Sequence, residues 1–256
     1  MNVWTTLRNR LRRSSPSSER GAQADQGSAN DMAPTLRQLA REAALARPGP
    51  TCTLSGQGLI VFDLETTGLD TRRDEVLSVG AVKVDGQAIS LGNVFSRVLA
   101  TQANLKPDNQ LIHGLTRHDL EHGTPPRQAL TDLLRYASGR LWIAFHAEFD
   151  RRMLQRAMLQ WLGIRFDPAP LDLAELAPML CPGMVAPAEG LDGWLHAFKI
   201  GVPARHDAAV DAMVTAELAL ILLSHARRQG YENWGELNQA RQRWRRQQLH
   251  PNGPMG

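Results

Sequence analysis

The 256-residue chain has only two cysteines, Cys52 and Cys181, and neither belongs to a CxxC or a Cys/His cluster. That argues against a disulfide framework or a thiolate zinc site and fits a reducing cytoplasm. Long apolar runs are also missing. The longest, such as residues 59–62 and 218–223, fall far short of the roughly 20 residues a membrane helix needs, so no membrane partner is expected. No internal repeat is visible. The first thirteen residues carry Arg8, Arg10, Arg12 and Arg13 but lack the continuous apolar stretch of a secretory signal, although an Arg- and Ser-rich import sequence would look similar.

What is present is patterned. Hydrophobic residues make up 43% and charged residues 21%, an ordinary globular composition. The net charge of +3 is unevenly distributed. Residues 1–50 hold eight arginines against four acids, and residues 226–256 hold six against two, so each end carries +4 and the middle −5. A nucleic-acid enzyme has this profile when its site gathers carboxylates and its tails meet phosphates; two solvated basic tails without a partner have it equally.

Residues 14–33, rich in Ser, Gly, Ala, Asn and Asp without an apolar period, read as a disordered linker. Residues 34–47 read as a helix with Pro34 in its first turn, Leu36, Leu39, Ala40 and Ala43 on one face, and Pro48 and Pro50 ending it. The chain therefore divides into a basic, partly disordered extension over 1–50, a domain over 51–230, and a basic helix and tail over 231–256. Within the domain, the β-prone runs 59–64, 76–84 and 92–99 predict an antiparallel meander. Helices are expected over 127–137, 147–162, 173–179, 189–198 and 206–229, with strands over 141–145 and 171–173. This is an α/β fold: a mixed sheet, antiparallel meander plus parallel strands, flanked by helices. The Arg/Gln-rich segment 233–249 reads as a further helix. It either packs back on the domain through Trp234, Leu237 and Trp244 or offers its arginines to a strand of nucleic acid.

The first strand breaks its own pattern. Asp63 and Glu65 stand two apart, so a strand points both to one face, yet Leu59 to Phe62 mark that strand as buried. Paired carboxylates there repel each other and lose hydration, and something positive must compensate. A divalent cation does so, and hard carboxylate oxygens select magnesium or manganese. Thr66, Thr67 and Gly68 follow directly, bringing hydroxyls and a tight turn beside the carboxylates. A second element, Phe145-His146-Ala147-Glu148-Phe149-Asp150, falls where a strand gives way to a helix, the usual place for a site in an α/β sheet. Asp150 there would also complement the helix N-terminus. The third element is His206-Asp207-Ala208-Ala209-Val210-Asp211-Ala212. In a regular helix His206 and Asp211 lie about 140° apart, so they converge only if His206 stands on the loop or first turn. Alone, His206 would serve equally as a helix cap or a surface residue.

In this order the three elements resemble the three motifs of the DEDDh (DnaQ-like) exonucleases, the family that includes the proofreading epsilon subunit of bacterial DNA polymerase III. The matching runs are Phe62-Asp63-Leu64-Glu65-Thr66-Thr67-Gly68-Leu69, Phe149-Asp150 and His206-x4-Asp211-Ala212, joined by Ile112-His113-Gly114-Leu115-Thr116, over about residues 57–225. The resemblance implies a ribonuclease H-like fold and a 3′-to-5′ exonuclease acting by a two-metal mechanism. It implies that Asp63, Glu65, Asp150 and Asp211 hold two divalent cations, Mg2+ or Mn2+, and that His206 is the general base. Thr66, Thr67, Leu69, His113 and Phe149 would contact the substrate. That substrate is a nucleic acid with a free 3′ end, single-stranded DNA in the first instance, and a polymerase or another protein is the expected partner. RNA as substrate, or a partner-docking module of the same fold, are the alternatives. The second motif departs from the family pattern: Phe145 stands where His is usual, His146 where Asn is usual, and Glu148 adds a carboxylate expected near the metals.

Overall fold

A computed structural model of the chain describes residues 29–44, 48–105, 107–184, 190–202 and 205–249. The meander forms first: β1 (Leu59–Thr66), β2 (Val76–Asp85), a two-residue β3 (Ala88–Ile89) and β4 (Phe95–Val98). β5 (Leu141–Ala144) and β6 (Leu171–Asp172) then add in parallel beyond β1. The sheet order is β3-β2-β1-β5-β6, with β4 also paired to β2. Around it stand α1 (Ala29–Ala44), α2 (Pro107–His113), α3 (Arg117–Glu121), α4 (Pro126–Ala137), α5 (Ala147–Leu162), α6 (Leu173–Leu180), α7 (Leu191–Ala197), α8 (Ala208–Arg228) and α9 (Trp234–Leu249). Mixed pairing with helices on both faces is the fold expected from sequence.

Strand alternation sorts β1 between two cores. Leu59 and Val61 pack with α6, α7 and α8. Ile60, Phe62 and Leu64 pack with α4 and α5 on the other face. Each fully buried side chain of this size contributes about 1.5–3 kcal/mol, so β1 is strongly fixed in register. α8 is the one helix among the described residues long and apolar enough to cross a bilayer, but 72% of that stretch is buried within the fold. Its apolar surface serves the core, and the short apolar runs noted above understated its length.

Several boundaries differ from expectation. The first helix begins at Ala29, which puts Pro34 inside it and turns the end of the expected linker helical; the rest of that linker lies outside the described residues. Leu36, Ala40 and Ala43 are buried, and the Trp142 indole donates to the Ala43 carbonyl (2.9 Å). α1 is thus clamped to the α4/α5 core. At the other end, α9 packs back through Trp234 and Leu237, with Trp244 half-buried. Its Trp234 backbone N–H donates to the Cys52 carbonyl (3.0 Å), while Arg241 and Arg245 pair with Glu175 of α6. α2 and α3 carry no readable apolar period: Leu111 and Ile112 of α2 face solvent, and α3 buries only Leu120.

Candidate active site

The site lies where β1 and β5 end. Asp63 and Glu65 continue the Leu59/Val61 row, so both face α8 rather than α5. What lets α8 reach them is opposite Asp63 on β2: Gly80. A Cβ there would lie 2.1 Å from the carbonyl carbon and oxygen of Ala208. Only glycine allows the first turn of α8 to rest on the sheet. That turn carries Asp211, 4% exposed. One carboxylate oxygen each from Asp63, Glu65 and Asp211 lie within 4.8 Å of one another. The β1/β2 register slips between Glu65 and Thr66, and this bulge turns the chain away just beyond the carboxylates.

Asp150 enters from the first turn of α5, 5% exposed. It stands outside the three-carboxylate set, yet it is the neighbouring charge that acts most strongly on Asp63. Asp172 fixes that turn, accepting from Ala147 N–H (3.1 Å) while capping α6 through Ala174 N–H (2.9 Å). His146, before α5, adopts the left-handed conformation at φ 55°.

Burial and mutual repulsion set the electrostatics. Loss of hydration, then Asp150, Asp211 and Glu65, push the Asp63 carboxyl well above the ordinary range. Burial, then Asp211 and Asp207, raise Glu65 to about 8. Burial, then Asp172, raise Asp150 to about 8, countered in part by the backbone N–H groups of Asp150 and Leu64. Asp211 is also raised by burial, against the pull of Arg205. Four carboxylates in this state, three buried and Asp63 half-buried, all hard oxygen donors, fit divalent-metal binding.

His206 stands on the loop before α8 at φ 63°, exposed, and its backbone N–H donates to Asp211 Oδ2 (2.9 Å). His206 thus stands on the loop rather than in the helix, and it is its backbone that meets Asp211. The cap is Asp207, accepting from Ala209 and Val210 N–H. His113 also faces this corner: its Nδ1 accepts from Leu115 N–H (3.1 Å), and its buried Nε2 has no hydrogen-bond partner. Burial first, and His206 second, lower its pKa.

The turn after β1 is tightly held. The Thr66 hydroxyl donates to the Gly68 carbonyl (2.8 Å). The Thr67 hydroxyl donates to Asp74 (2.8 Å) and accepts from Glu75 N–H (2.9 Å), so it braces the loop. A Cβ at Gly68 would lie 2.6 Å from the Asp74 carboxylate, so a side chain there would displace the brace that Asp74 supplies. Beyond it Leu69 projects, 86% exposed. Phe149 is half-buried against the α4/α5 core.

Two points differ from the sequence reading. Glu148 does not join the carboxylates: it points to solvent, and Arg151 and Arg152 bond it at 2.7–2.9 Å and hold it down to about 2. Arg205, not singled out in the sequence, bonds Asp211 directly and is anchored by Asp192 of α7. Its position immediately before His206 was the available signal.

The exonuclease family model known as RNase_T matches residues 60–219. Among curated relatives, the PolC-type DNA polymerase III of Thermotoga maritima is 25% identical over 208 residues, covering 81% of this chain but 14% of that protein. A DNA polymerase III subunit epsilon-like protein of Rhodobacter capsulatus is 31% identical, covering 69% of this chain and 25% of the relative. The chain therefore spans only a minor part of these relatives. For the epsilon subunit of Treponema pallidum the figures are 27% identity, 66% and 77%. Similar solved structures include E. coli Exonuclease I with a dA16 oligonucleotide (TM-score 0.56, 16% identity, 67% of this chain, 42% of that one). Exonuclease X with 5′ overhanging duplex DNA matches at TM-score 0.53 and 21% identity, over 71% of this chain and 99% of that one.

Proposed function

Because the chain belongs to the RNase T exonuclease family, we propose that it is a metal-dependent 3′-to-5′ exonuclease that releases nucleoside 5′-monophosphates from single-stranded DNA ends. The observation that carries this reading is the convergence of carboxylate oxygens from Asp63, Glu65 and Asp211, with the buried Asp150 entering from α5 beside them. These four residues would hold two divalent cations, Mg2+ or Mn2+. When bound, such ions activate a water and stabilise the charge on the departing 3′-oxygen.

The remaining steps belong to the chain's own groups. His206, exposed on its loop, takes the proton of the attacking water at a ring nitrogen. Its backbone bond to Asp211 keeps base and carboxylate in fixed relation. Thr66, Leu69, His113 and Phe149 frame the terminal nucleotide, and the exposed Leu69 packs on a base. Thr67 contributes through the loop it braces. Both similar structures named above hold DNA, single-stranded in one and overhanging in the other, which supports DNA as substrate. The epsilon-type relatives support a cytoplasmic role in proofreading, repair or replication beside a polymerase.

The test is degradation of a 5′-labelled single-stranded DNA oligonucleotide with Mg2+ or Mn2+, with EDTA, and with Asp63→Ala, alongside matched RNA. A metal-dependent ladder shortening from the 3′ end, absent in the variant, is expected. Shortening from the 5′ end, or full activity in Asp63→Ala, refutes it; a ladder on RNA alone reassigns the substrate.

A further inference from the structure

Arg205 is the cation that the carboxylate cluster already has. Its side chain is largely buried, 23% exposed. It bridges two acids, Asp192 through Nε and Asp211 through Nη1. It also opposes the mutual repulsion felt by Asp63 and Glu65. Arg151 and Arg152 spend their charge on Glu148 at the solvent side of α5, whereas Arg205 brings a permanent positive charge to the carboxylate cluster itself. The bond to Asp211 falls on one of the three carboxylates whose oxygens converge.

Resting on the metal-site reading above, we propose that Arg205 is a positioning residue that competes with the metal for Asp211. Without metal, its guanidinium is the resident counter-cation and holds Asp211 facing Asp63 and Glu65. Metal loading transfers Asp211 from Arg205 to the ion, leaving the guanidinium on Asp192. Asp192 thus acts as the parking site, keeping Arg205 close enough to return. The exchange sets a threshold on metal affinity: the cluster stays folded and ordered without metal, at the expense of binding the ion more weakly than four carboxylates alone would.

Calorimetric titration of the full chain with Mn2+ alone, beside thermal unfolding with and without Mn2+, tests this. Arg205→Gln is expected to bind Mn2+ roughly tenfold more tightly, the size of a modest close charge–charge coupling. The same variant should unfold at lower temperature without metal and gain more than wild type from Mn2+. Arg205→Lys, which keeps the charge but loses the two-pronged fork, should show a smaller tightening, and it serves as the test if the glutamine variant does not fold. Unchanged or weaker Mn2+ affinity in the folded variants overturns the proposal, as does an equal loss of melting temperature with and without Mn2+, the mark of a purely structural bridge. Absence of Mn2+ binding by wild type would instead bring down the metal-site reading itself, and this inference with it.

Discussion

Glu148 and Asp150 stand two residues apart in the first turn of α5, yet their carboxyls lie at opposite ends of the scale. Glu148 faces solvent between Arg151 and Arg152 and is held down at about 2. Asp150 turns into the fold beside other carboxylates and is pushed up to about 8. Both share the same helix N-terminus, so the helix dipole cannot separate them. Burial and neighbours do. The solvent side of that turn is an ordinary ion-paired surface; the inner side holds acids without enough positive charge to balance them, which is the electrostatic mark of a metal site.

The largest effect should come from the inner side. Asp150→Ala is expected to cut turnover on a labelled oligonucleotide by at least about 10³-fold, as for loss of a central charge-stabilising group. Its circular dichroism should remain that of wild type. Equal activity of this variant and wild type would erase the contrast with Glu148.

Gly80→Val should come next. Backbone of α8 occupies the space a side chain needs, so the variant should lose about 3 kcal/mol or more in urea unfolding. Activity should fall with it, because Asp211 moves away from Asp63.

A third effect follows from pH. The folded values of Glu65 and Asp150, each about 8, lie above unfolded values near 4. The folded chain therefore keeps protons that the unfolded chain has released. This contribution to stability is complete below about pH 4 and is lost as pH rises towards about 8. A cation bound as proposed would replace those protons, so the rise in melting temperature on adding Mn2+ should be larger at about pH 8 than at about pH 6. A rise that shrinks with pH would contradict the assignment.

The smallest effect belongs to the outer side. Glu148→Gln removes an exposed ion pair and should change stability by no more than about 1 kcal/mol, with activity essentially intact. A large loss of activity would return Glu148 to the site.

Much of this was legible in the chain itself. The DxETTG run, the apolar β1 and the strand–helix alternation announced the fold, because periodicity and burial are local properties. The facing of Asp63 and Glu65 followed from strand alternation alone. Glu148 was misjudged because its fate depends on Arg151 and Arg152, whose side-chain directions no spacing rule supplied. Gly80 and Arg205 passed unnoticed for a related reason: each matters only through a partner distant in sequence or across a loop, Ala208 for one and both Asp192 and Asp211 for the other. α2 was missed because it turns its apolar side chains to solvent.

The central claim, that the buried acids hold protons until a cation takes their place, is tested most directly by counting protons released when Mn2+ binds at about pH 7, by titration calorimetry in buffers of different ionisation enthalpy. Release of about one to two protons per chain, abolished in Asp63→Asn/Asp150→Asn, is the expected result. Tight Mn2+ binding with no proton release would mean that the carboxylates are ionised before metal arrives, and the electrostatic contrast between the two sides of α5 would fall.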